Sequence, residues 1–515
     1  MSTLSDLARW AAQLDPSMIP TDLRQRALLQ HLSCAAALRL SLATDVKGGL
    51  LTGAGTRGKV PTVALGRKLS RRDALRMHAG GIAAWDYADS LFWASAGPGA
   101  VGTAWSLAGD HSLDQLLTAT LAANEVSARL GASGLFAPAS GLAWGSVQAI
   151  AAATVAGRLA QVDAATLERA YSLALAMAGD ASLSDMATSA HARAGHASRA
   201  VEAGVHALDL ARGGAGGNSD ALDHDEWYGA RGCLLPLRKA FTGLGSCWFT
   251  RSLAFKTSPI SLHLATGLQA LEEILSRHIT AADKRLRPDQ WTEAVLRLPW
   301  SSWVTEQLGR PDRHGASWSL RTQYALLSLT HEIGANELSE SFWDERGGQI
   351  REQIAKVRVE HAWEHSLASV EALLRNAGPL LSDVGVRDLR RVSASLRHGA
   401  PFPGAPGRGD LLALAKARPD RLAGLLDRHA GGIESWDAGD WRYELPMDVK
   451  VHTTRGGFWP EVRGFLECGP GWSWEDTVER VQVKFAAGDE ERAAAAPQLL
   501  LASGSQLASE WLEAL

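Results

Sequence analysis

Hydrophobic and polar positions divide the chain into a helical first half and a mixed second half. Up to about residue 290, leucine, alanine and valine recur at i, i+3, i+4 and i+7, which predicts amphipathic helices, and no alternation typical of a strand appears. The helices predicted in this way cover 20–46, 112–131, 142–161, 163–179 and 197–212. Their alanine-rich faces favour close packing of helix against helix.

The segment 112–131 carries the clearest helix signals. Ser112 is a predicted N-cap and Gly131 a predicted C-cap. Glu125 and Arg129 stand four residues apart, so their side chains are expected to pair on one helix face.

After Lys256 the pattern changes to a mixture of strands and helices. WTEAVLRLPW and KVRVEHAW alternate apolar and polar residues and predict strands, whereas LHLATGLQALEEIL and SLRTQYALLSLTHEIG predict helices. DVKVHTTRGGFWPEVRGF predicts a hairpin that turns at Gly456 and Gly457, and Ser473 is the expected cap of a further helix. Between them, residues 379–440 contain the loop PFPGAPGRGD, whose prolines and glycines forbid regular structure, and this part is interpreted as an insertion.

Composition narrows the class of protein without naming it. A chain of 515 residues with 46% hydrophobic and 21% charged residues is typical of a globular protein of about two domains. The net charge of -4 argues against nucleic acid as the main partner. No apolar run reaches membrane-spanning length, and the acidic, amphipathic start is unlike a secretory signal, so a cytoplasmic protein without a membrane partner is expected. Four dispersed cysteines indicate reduced thiols, and 19 tryptophans against five tyrosines indicate many buried rings.

The densest chemistry lies in residues 78–100, HAGGIAAWDYADSLFWASAGPGA. Asp86 and Asp89 are three residues apart, so if they end a helix their carboxylates share one face. Asp86 lies between Trp85 and Tyr87, where a carboxylate needs a partner or acquires a raised pKa, which favours a functional role. The alternative for an acid or serine here is helix capping, and that is the preferred interpretation of Ser95.

Six motifs occur in an order that resembles the MmgE/PrpD family, which includes 2-methylcitrate dehydratase, cis-aconitate decarboxylase and iminodisuccinate epimerase. They are WDYAD followed by GPGA, AANEVSARLG, RAGHASRAVEAGVHALDLARGG, FKTSP with His263, SLRTQYA and PMDVKVHTTRGG. The resemblance implies an α+β, mainly α fold: a large all-α helical domain at 1–255, completed by 474–515, and a smaller α/β lid domain at 256–473 with an insertion at about 370–440. It also implies a homodimer, no metal or other cofactor, and an active site in the cleft between the domains.

Matched to the family position by position, the chain keeps only part of the expected site. The resemblance implies that Asp86, His196 and Lys256 are catalytic. Ala96 and Ser261 stand where the family has histidines, FAPASG at 136–141 lacks another histidine, and Arg193 replaces a lysine. The residues expected to bind substrate are Asp89, Ser90, Trp93, Trp144, Arg193, Ser261, His263 and Tyr324.

Aromatic residues near these motifs suggest what the pocket accepts. Trp85, Phe92 and Trp93 lie in the acid motif and Trp144 follows the second motif, where the family keeps polar groups. This placement predicts a substrate with a large apolar part that stacks on the rings and a carboxylate held by Arg193 and Lys256.

Three functions are compatible with this sequence. The first is a divergent lyase or isomerase, such as a cyclase or epimerase in specialised metabolism, that acts by proton transfer on a small carboxylate-bearing substrate. The second, favoured by the missing histidines, is a catalytically silent protein that binds a small acid or serves as a partner subunit. The third is a scaffold whose arginine-rich insertion docks an acidic partner. Exchange of substrate α-protons in deuterated water separates the first from the second.

Overall fold

A computed structural model describes residues 2–55, 58–92, 94–135, 141–179, 183–233, 235–279, 287–385, 388, 433–458 and 463–515. Trp93, most of the FAPASG motif and most of the predicted insertion lie outside these described residues.

The first half is a bundle of helices, as its apolar periodicity predicts. The helices are α1 (Thr3–Gln13), α2 (Thr21–Leu42), α3 (Val46–Leu51), α4 (Arg71–Ala83), α5 (Gly97–Leu107), α6 (Leu113–Ser133), α7 (Gly141–Leu159), α8 (Ala164–Met177), α9 (Leu183–Thr188), α10 (Ala190–Arg212) and α11 (Asp225–Gly229). All five predicted helices are present, although α10 begins at Ala190 rather than at 197. Helix α10 packs against α4, α7 and α8, so it lies at the centre of the bundle.

Four very short strands also occur in or directly after the helical part. They are β1 (Val60–Pro61), β2 (Lys68–Leu69), β3 (Asp89–Ser90) and β4 (Ala254–Phe255). Each has two residues, too few for an alternating pattern to be visible in the sequence. The antiparallel pair β3–β4 matters for the site, because it joins the acid motif to the segment that contains Lys256.

Helix α6 confirms most of its predicted signals. The Ser112 side chain accepts a hydrogen bond from Gln115 in a complete capping box. Glu125 and Arg129 form an ion pair of 3.0 Å in which both side chains are fully buried. The predicted C-cap was wrong, since the helix runs through Gly131 to Ser133 and Gly134 follows as the cap.

The second half contains a five-stranded sheet with helices around it. The helices are α12 (Leu262–Ile279), α13 (Trp300–Leu308), α14 (Leu320–Thr330), α15 (Glu340–Ala355) and α16 (Trp363–Asn376), and the strands are β5 (Trp291–Leu298), β6 (Val357–His361), β7 (Glu444–Thr453), β8 (Gly456–Phe458) and β9 (Arg463–Phe465). The order is β6-β5-β7-β8, with β9 also pairing with β7. Strands β5 and β6 are parallel, whereas β5 and β7 are antiparallel.

Strand β7 shows how the sheet meets its helices. Its residues alternate between buried and half-buried, so one face packs inward, and the strand contacts α12 and α16. The predicted hairpin is present, but its turn falls at residues 454–455. Gly456 and Gly457 already belong to β8, where Gly456 has a φ of 123° that disfavours any other residue.

The last helices return to the first half of the chain. They are α17 (Trp474–Ala486), α18 (Glu490–Leu500) and α19 (Ala508–Ala514). Helices α17 and α18 pack on α2, and α19 contacts α6. The Ser473 side chain caps α17 by accepting from the backbone of Asp476, as predicted. The α+β, mainly α class is therefore confirmed, while the domain bounds at 255 and 473 stay predictions.

None of the described helices is both long enough and apolar enough to cross a membrane.

Candidate active site

Asp86 lies in a turn immediately beyond helix α4. Its backbone N–H donates to the carbonyl of Ala83 at 3.1 Å, and its φ of 52° is left-handed. Aspartate tolerates this conformation better than most residues, and such outliers occur often at functional sites. The expectation that Asp86 and Asp89 share a helix face was wrong, because the helix has ended and Asp89 belongs to β3.

The nearest charge to Asp86 is the ammonium of Lys256. Strand pairing of β3 with β4 places Lys256 beside the acid motif, and its backbone N–H donates to Ala88 at 3.3 Å. Its Nζ donates to the Asp86 carboxylate and, at 3.1 Å, to the Asp86 carbonyl. The Lys256 side chain is 3% exposed and that of Asp86 is 20% exposed. The ion pair is therefore almost buried, with part of the Asp86 side chain still exposed.

A second lysine, Lys484, fixes the two segments that carry this pair. Its Nζ donates to the carbonyl of Lys256 and to Ser33 Oγ, both at 2.9 Å, and to the carbonyls of Tyr87 and Ala88. It also lies 3.9 Å from the centre of the Tyr87 ring. Burial lowers the pKa of Lys484 to about 7.

Lys484 is not among the residues predicted from the sequence, although the pattern of its helix indicates that this lysine is buried. Thr477, Val481 and Phe485 form the buried face of α17, and Lys484 occupies the same face. A lysine at a core-facing helix position is unusual and needs buried partners.

His263 and Ser261 lie where the chain enters helix α12. Burial lowers the pKa of His263 to about 4, the Asp86 carboxylate raises it and the Lys256 ammonium lowers it. The imidazole is therefore neutral near pH 7 and within electrostatic reach of the ion pair. The Ser261 backbone donates to Ser317 at 2.7 Å, which ties this entry to the segment before α14.

Buried polar atoms without a partner among the described residues concentrate in residues 314–324. Native proteins satisfy nearly all such atoms, with ordered water or a ligand where the chain supplies no group. This segment is therefore a place where bound water or a ligand is expected. The atoms are His314 Nδ1, Ser317 Oγ, Trp318 Nε1, Thr322 Oγ1, Gln323 Oε1 and Tyr324 Oη.

Tyr324 is fully buried on α14, and its ring packs edge-on against Trp291 at 5.4 Å between centroids. Burial raises the pKa of its hydroxyl, so Tyr324 stays protonated and can only donate or accept a hydrogen bond as a neutral group.

Arg193 is buried and bonded to the chain rather than open to a substrate. Its guanidinium donates to the carbonyls of Ala84 at 2.8 Å, His314 at 3.3 Å and Met186. Burial lowers the pKa of Arg193 to about 10, while the Asp86 charge opposes that shift. These contacts support a positioning role, in which Arg193 holds three segments together beside Asp86, in place of the predicted carboxylate clamp.

Asp89 is likewise a structural anion in place of the predicted substrate contact. Its buried carboxylate accepts from Ser95 Oγ at 2.6 Å, from the N–H groups of Ala96 and Gly97 at 3.2 Å each, and from Gln30 at 2.5 Å. A carboxylate at a helix N-terminus satisfies orphan amides, here those at the start of α5. The predicted N-cap role of Ser95 was wrong, since Ala96 holds that position.

Ser90 pairs with Ala254 across β3 and β4 and is buried.

The predicted aromatic lining is largely part of the core. Trp85 is 1% exposed and donates to Thr44 Oγ1 at 3.2 Å, and Phe92 packs against Trp441 with centroids 4.7 Å apart. These two rings do not line a cleft, so that expectation was wrong for them. The partners that bury these rings, Thr44 and Trp441, lie far from them in the chain, so the linear motif does not reveal the burial.

Trp144 and His196 form a stacked pair. The rings of Trp144 on α7 and His196 on α10 lie 5.3 Å apart at an angle of 24°. The absence of a side chain at Gly145 makes room for this stack, because a Cβ there would meet His196 Nε2 and the Gly179 carbonyl at 2.9 Å.

A cleft of about 1290 Å³ lies beside the ion pair, since the residues that directly follow Asp86 and Lys256 in the chain line it. Its walls include Tyr87, Thr257 and Lys484, and they combine residues of α2, the segment 332–337 and α17. Its walls carry basic residues such as Arg39 and acidic residues such as Glu337 beside apolar ones such as Ile333, so it offers contacts to both charged and apolar parts of a ligand.

Residues 5–234 match the family model described as the MmgE/PrpD N-terminal domain. This range includes Asp86, Arg193 and His196 and ends before Lys256. A search of curated proteins found no match to the chain.

Proposed function

Because the chain belongs to the MmgE/PrpD family, we propose that it is a divergent lyase or isomerase that moves a proton on a small carboxylate-bearing substrate. Known members of the family are dehydratases and other lyases. The observation that carries the proposal is the nearly buried ion pair of Asp86 and Lys256. The backbone of Asp86 is in the left-handed conformation, and the residues that follow the pair, Tyr87 and Thr257, line a large cleft.

The pair has the two groups that abstraction of an α-proton requires. A carboxylate such as Asp86 serves as the base, and the partial exposure of its side chain leaves room for a substrate C–H to approach. The ammonium of Lys256 stabilises the negative charge that develops on the substrate carboxylate as the proton leaves. His196 and the neutral His263 are the groups assigned to proton delivery in the second half of the reaction.

The decisive experiment measures deuterium incorporation at the α-carbon of mono-, di- and tricarboxylates in deuterated water. Asp86→Asn and Lys256→Met are expected to lower the exchange rate by about 10²-fold or more, because each removes a positioned acid-base or charged group. Lys59→Met is the matched control, since Lys59 is exposed, lies outside the pair and does not line the cleft. Exchange at the wild-type rate in both site variants would contradict the proposal.

One observation favours the second candidate, a silent acid-binding protein. Ala96 and Ser261 occupy family histidine positions and are themselves buried, so two groups that move protons in relatives are missing. This candidate predicts saturable binding of a carboxylate by calorimetry with no α-proton exchange across the whole panel.

Two finer features belong to the same proposal. An apolar substituent of the substrate would lie against Trp144, the described ring that stacks on a proposed site residue. A homodimer, implied by the resemblance, would appear in light scattering as a mass of two chains.

A further inference from the structure

Three potential metal ligands from distant parts of the sequence meet near Arg193. Asp45 precedes α3, His191 is the second residue of α10, and His314 lies between α13 and α14. One carboxylate oxygen and one ring nitrogen of each histidine lie within 4.8 Å of one another. In the described part of the chain, no other trio of histidine, cysteine, aspartate or glutamate side chains is grouped in this way.

We propose that Asp45, His191 and His314 form a divalent-cation site suited to Zn²⁺. Two imidazoles and a carboxylate are ligands that zinc prefers, and three protein ligands leave a fourth position for water. With bonds of about 2.0–2.1 Å, tetrahedral ligands lie roughly 3.3 Å apart, so small side-chain shifts close the site.

The observed contacts show that the ligands are close to this geometry. His191 Nε2 lies 3.0 Å from Asp45 Oδ2, and the two imidazole rings are 5.0 Å apart between centroids. His314 Nδ1 is buried and has no hydrogen-bond partner among the described residues. That nitrogen is a second, independent indication of a cation site, because a bound cation would satisfy it.

Arg313 is the feature that opposes a cation here. Its guanidinium bonds the other carboxylate oxygen of Asp45, and its Nη2 lies 3.2 Å from His314 Nε2. Arg313 therefore neutralises part of the Asp45 charge and competes for both partners. A metal on the Oδ2 side, away from Arg313, binds less tightly than it would without the arginine.

Occupancy would connect the helical first half to a loop of the sheet-containing half. The carbonyl of His314 accepts from Arg193, which also bonds Ala84 close to Asp86. The metal would thus restrain a segment that supports the candidate active site, without touching the substrate. This inference does not depend on the proposed reaction.

The experiment is a Zn²⁺ titration of the full chain, first freed of metal with a chelator, at a pH above about 7 so that free histidine is neutral. Calorimetry is expected to show one saturable site, and Zn²⁺ is expected to raise the melting temperature. His191→Ala, His314→Ala and Asp45→Asn should each weaken affinity at least about tenfold, since each deletes one of three ligands. Arg313→Gln should tighten binding.

His206→Ala is the matched control, because His206 is exposed on the same helix as His191 and should leave affinity unchanged. In the wild type, Zn²⁺ should protect the half-exposed His191 from diethyl pyrocarbonate, a readout that needs no variant. Wild-type affinity in the histidine variants, or no protection of His191, would overturn the proposal and leave the trio as a hydrogen-bonded contact.

Discussion

Replacing Lys484 by methionine should remove a pH-dependent part of the protein's stability. Methionine keeps an unbranched apolar side chain but deletes the ammonium that bonds Lys256, Tyr87 and Ala88. The native pKa of Lys484 is about 7 and that of a free lysine 10.5. Between these values the unfolded chain holds a proton that the native protein has released. Stability therefore rises with pH in this window.

The size of the effect follows from one proton and this window. Each pH unit contributes about 1.4 kcal/mol to the free energy of unfolding. From about pH 7 to pH 9 the wild type should gain about 2 kcal/mol relative to Lys484→Met, since the native lysine is still half protonated at the start of this range. Below about pH 7 lysine is protonated in both states, so the difference between the two proteins becomes constant.

Urea unfolding at several pH values measures this difference directly. Lys47→Met is the control, because Lys47 is exposed and lines the same cleft, and its curve should run parallel to that of the wild type. The thiols of Cys34 and Cys468 contribute to the same difference, because burial raises their pKa values and the Lys484 charge opposes that shift. A difference between wild type and Lys484→Met that stays flat from about pH 7 to pH 9 would refute the buried-charge argument.

Further expected outcomes test the site and its supports. With Ala96 and Ser261 at histidine positions, purified protein should turn over 2-methylcitrate and cis-aconitate about 10²-fold or more below ordinary enzymatic rates, and ordinary turnover would contradict this. Arg193→Met should lower the melting temperature, because three carbonyls lose their planar donor, and Arg193→Lys should recover only part of the loss. An unchanged melting temperature in Arg193→Met would count against the positioning role. Gly145→Ala should destabilise the protein, since the added Cβ would meet other atoms at 2.9 Å. Gly195→Ala, with open space around the added Cβ, should instead stabilise α10 by about 0.5–1 kcal/mol. Equal shifts of the melting temperature in the two variants would refute this distinction.

Local signals explain most of the agreement between sequence and structure. The Ser112 cap of α6, the Ser473 cap of α17 and the presence of β5 depend on residues within a few positions of one another, so local patterns predict them. The predicted alternation in β5 was wrong in detail, since Ala294, Val295 and Leu296 are all buried. The order of the motifs along the chain predicted the MmgE/PrpD family, and the match of residues 5–234 to its N-terminal domain supports that prediction. The two-residue strands were not predicted because they are too short for a pattern, whereas the start of α10 was missed although Ser189 is a local N-cap signal.

Only the tertiary structure decided what the charged and aromatic residues of the site do. Lys484 bonds a carbonyl 397 positions away, and Arg193 bonds carbonyls in three segments, so no spacing in the sequence reveals these partners. Trp85 is buried and bonds Thr44, which precedes it by 41 positions. The sequence by itself determined the elements and the family, whereas partners and burial depended on long-range packing, because hydrogen bonding and burial are set by which segments meet in space.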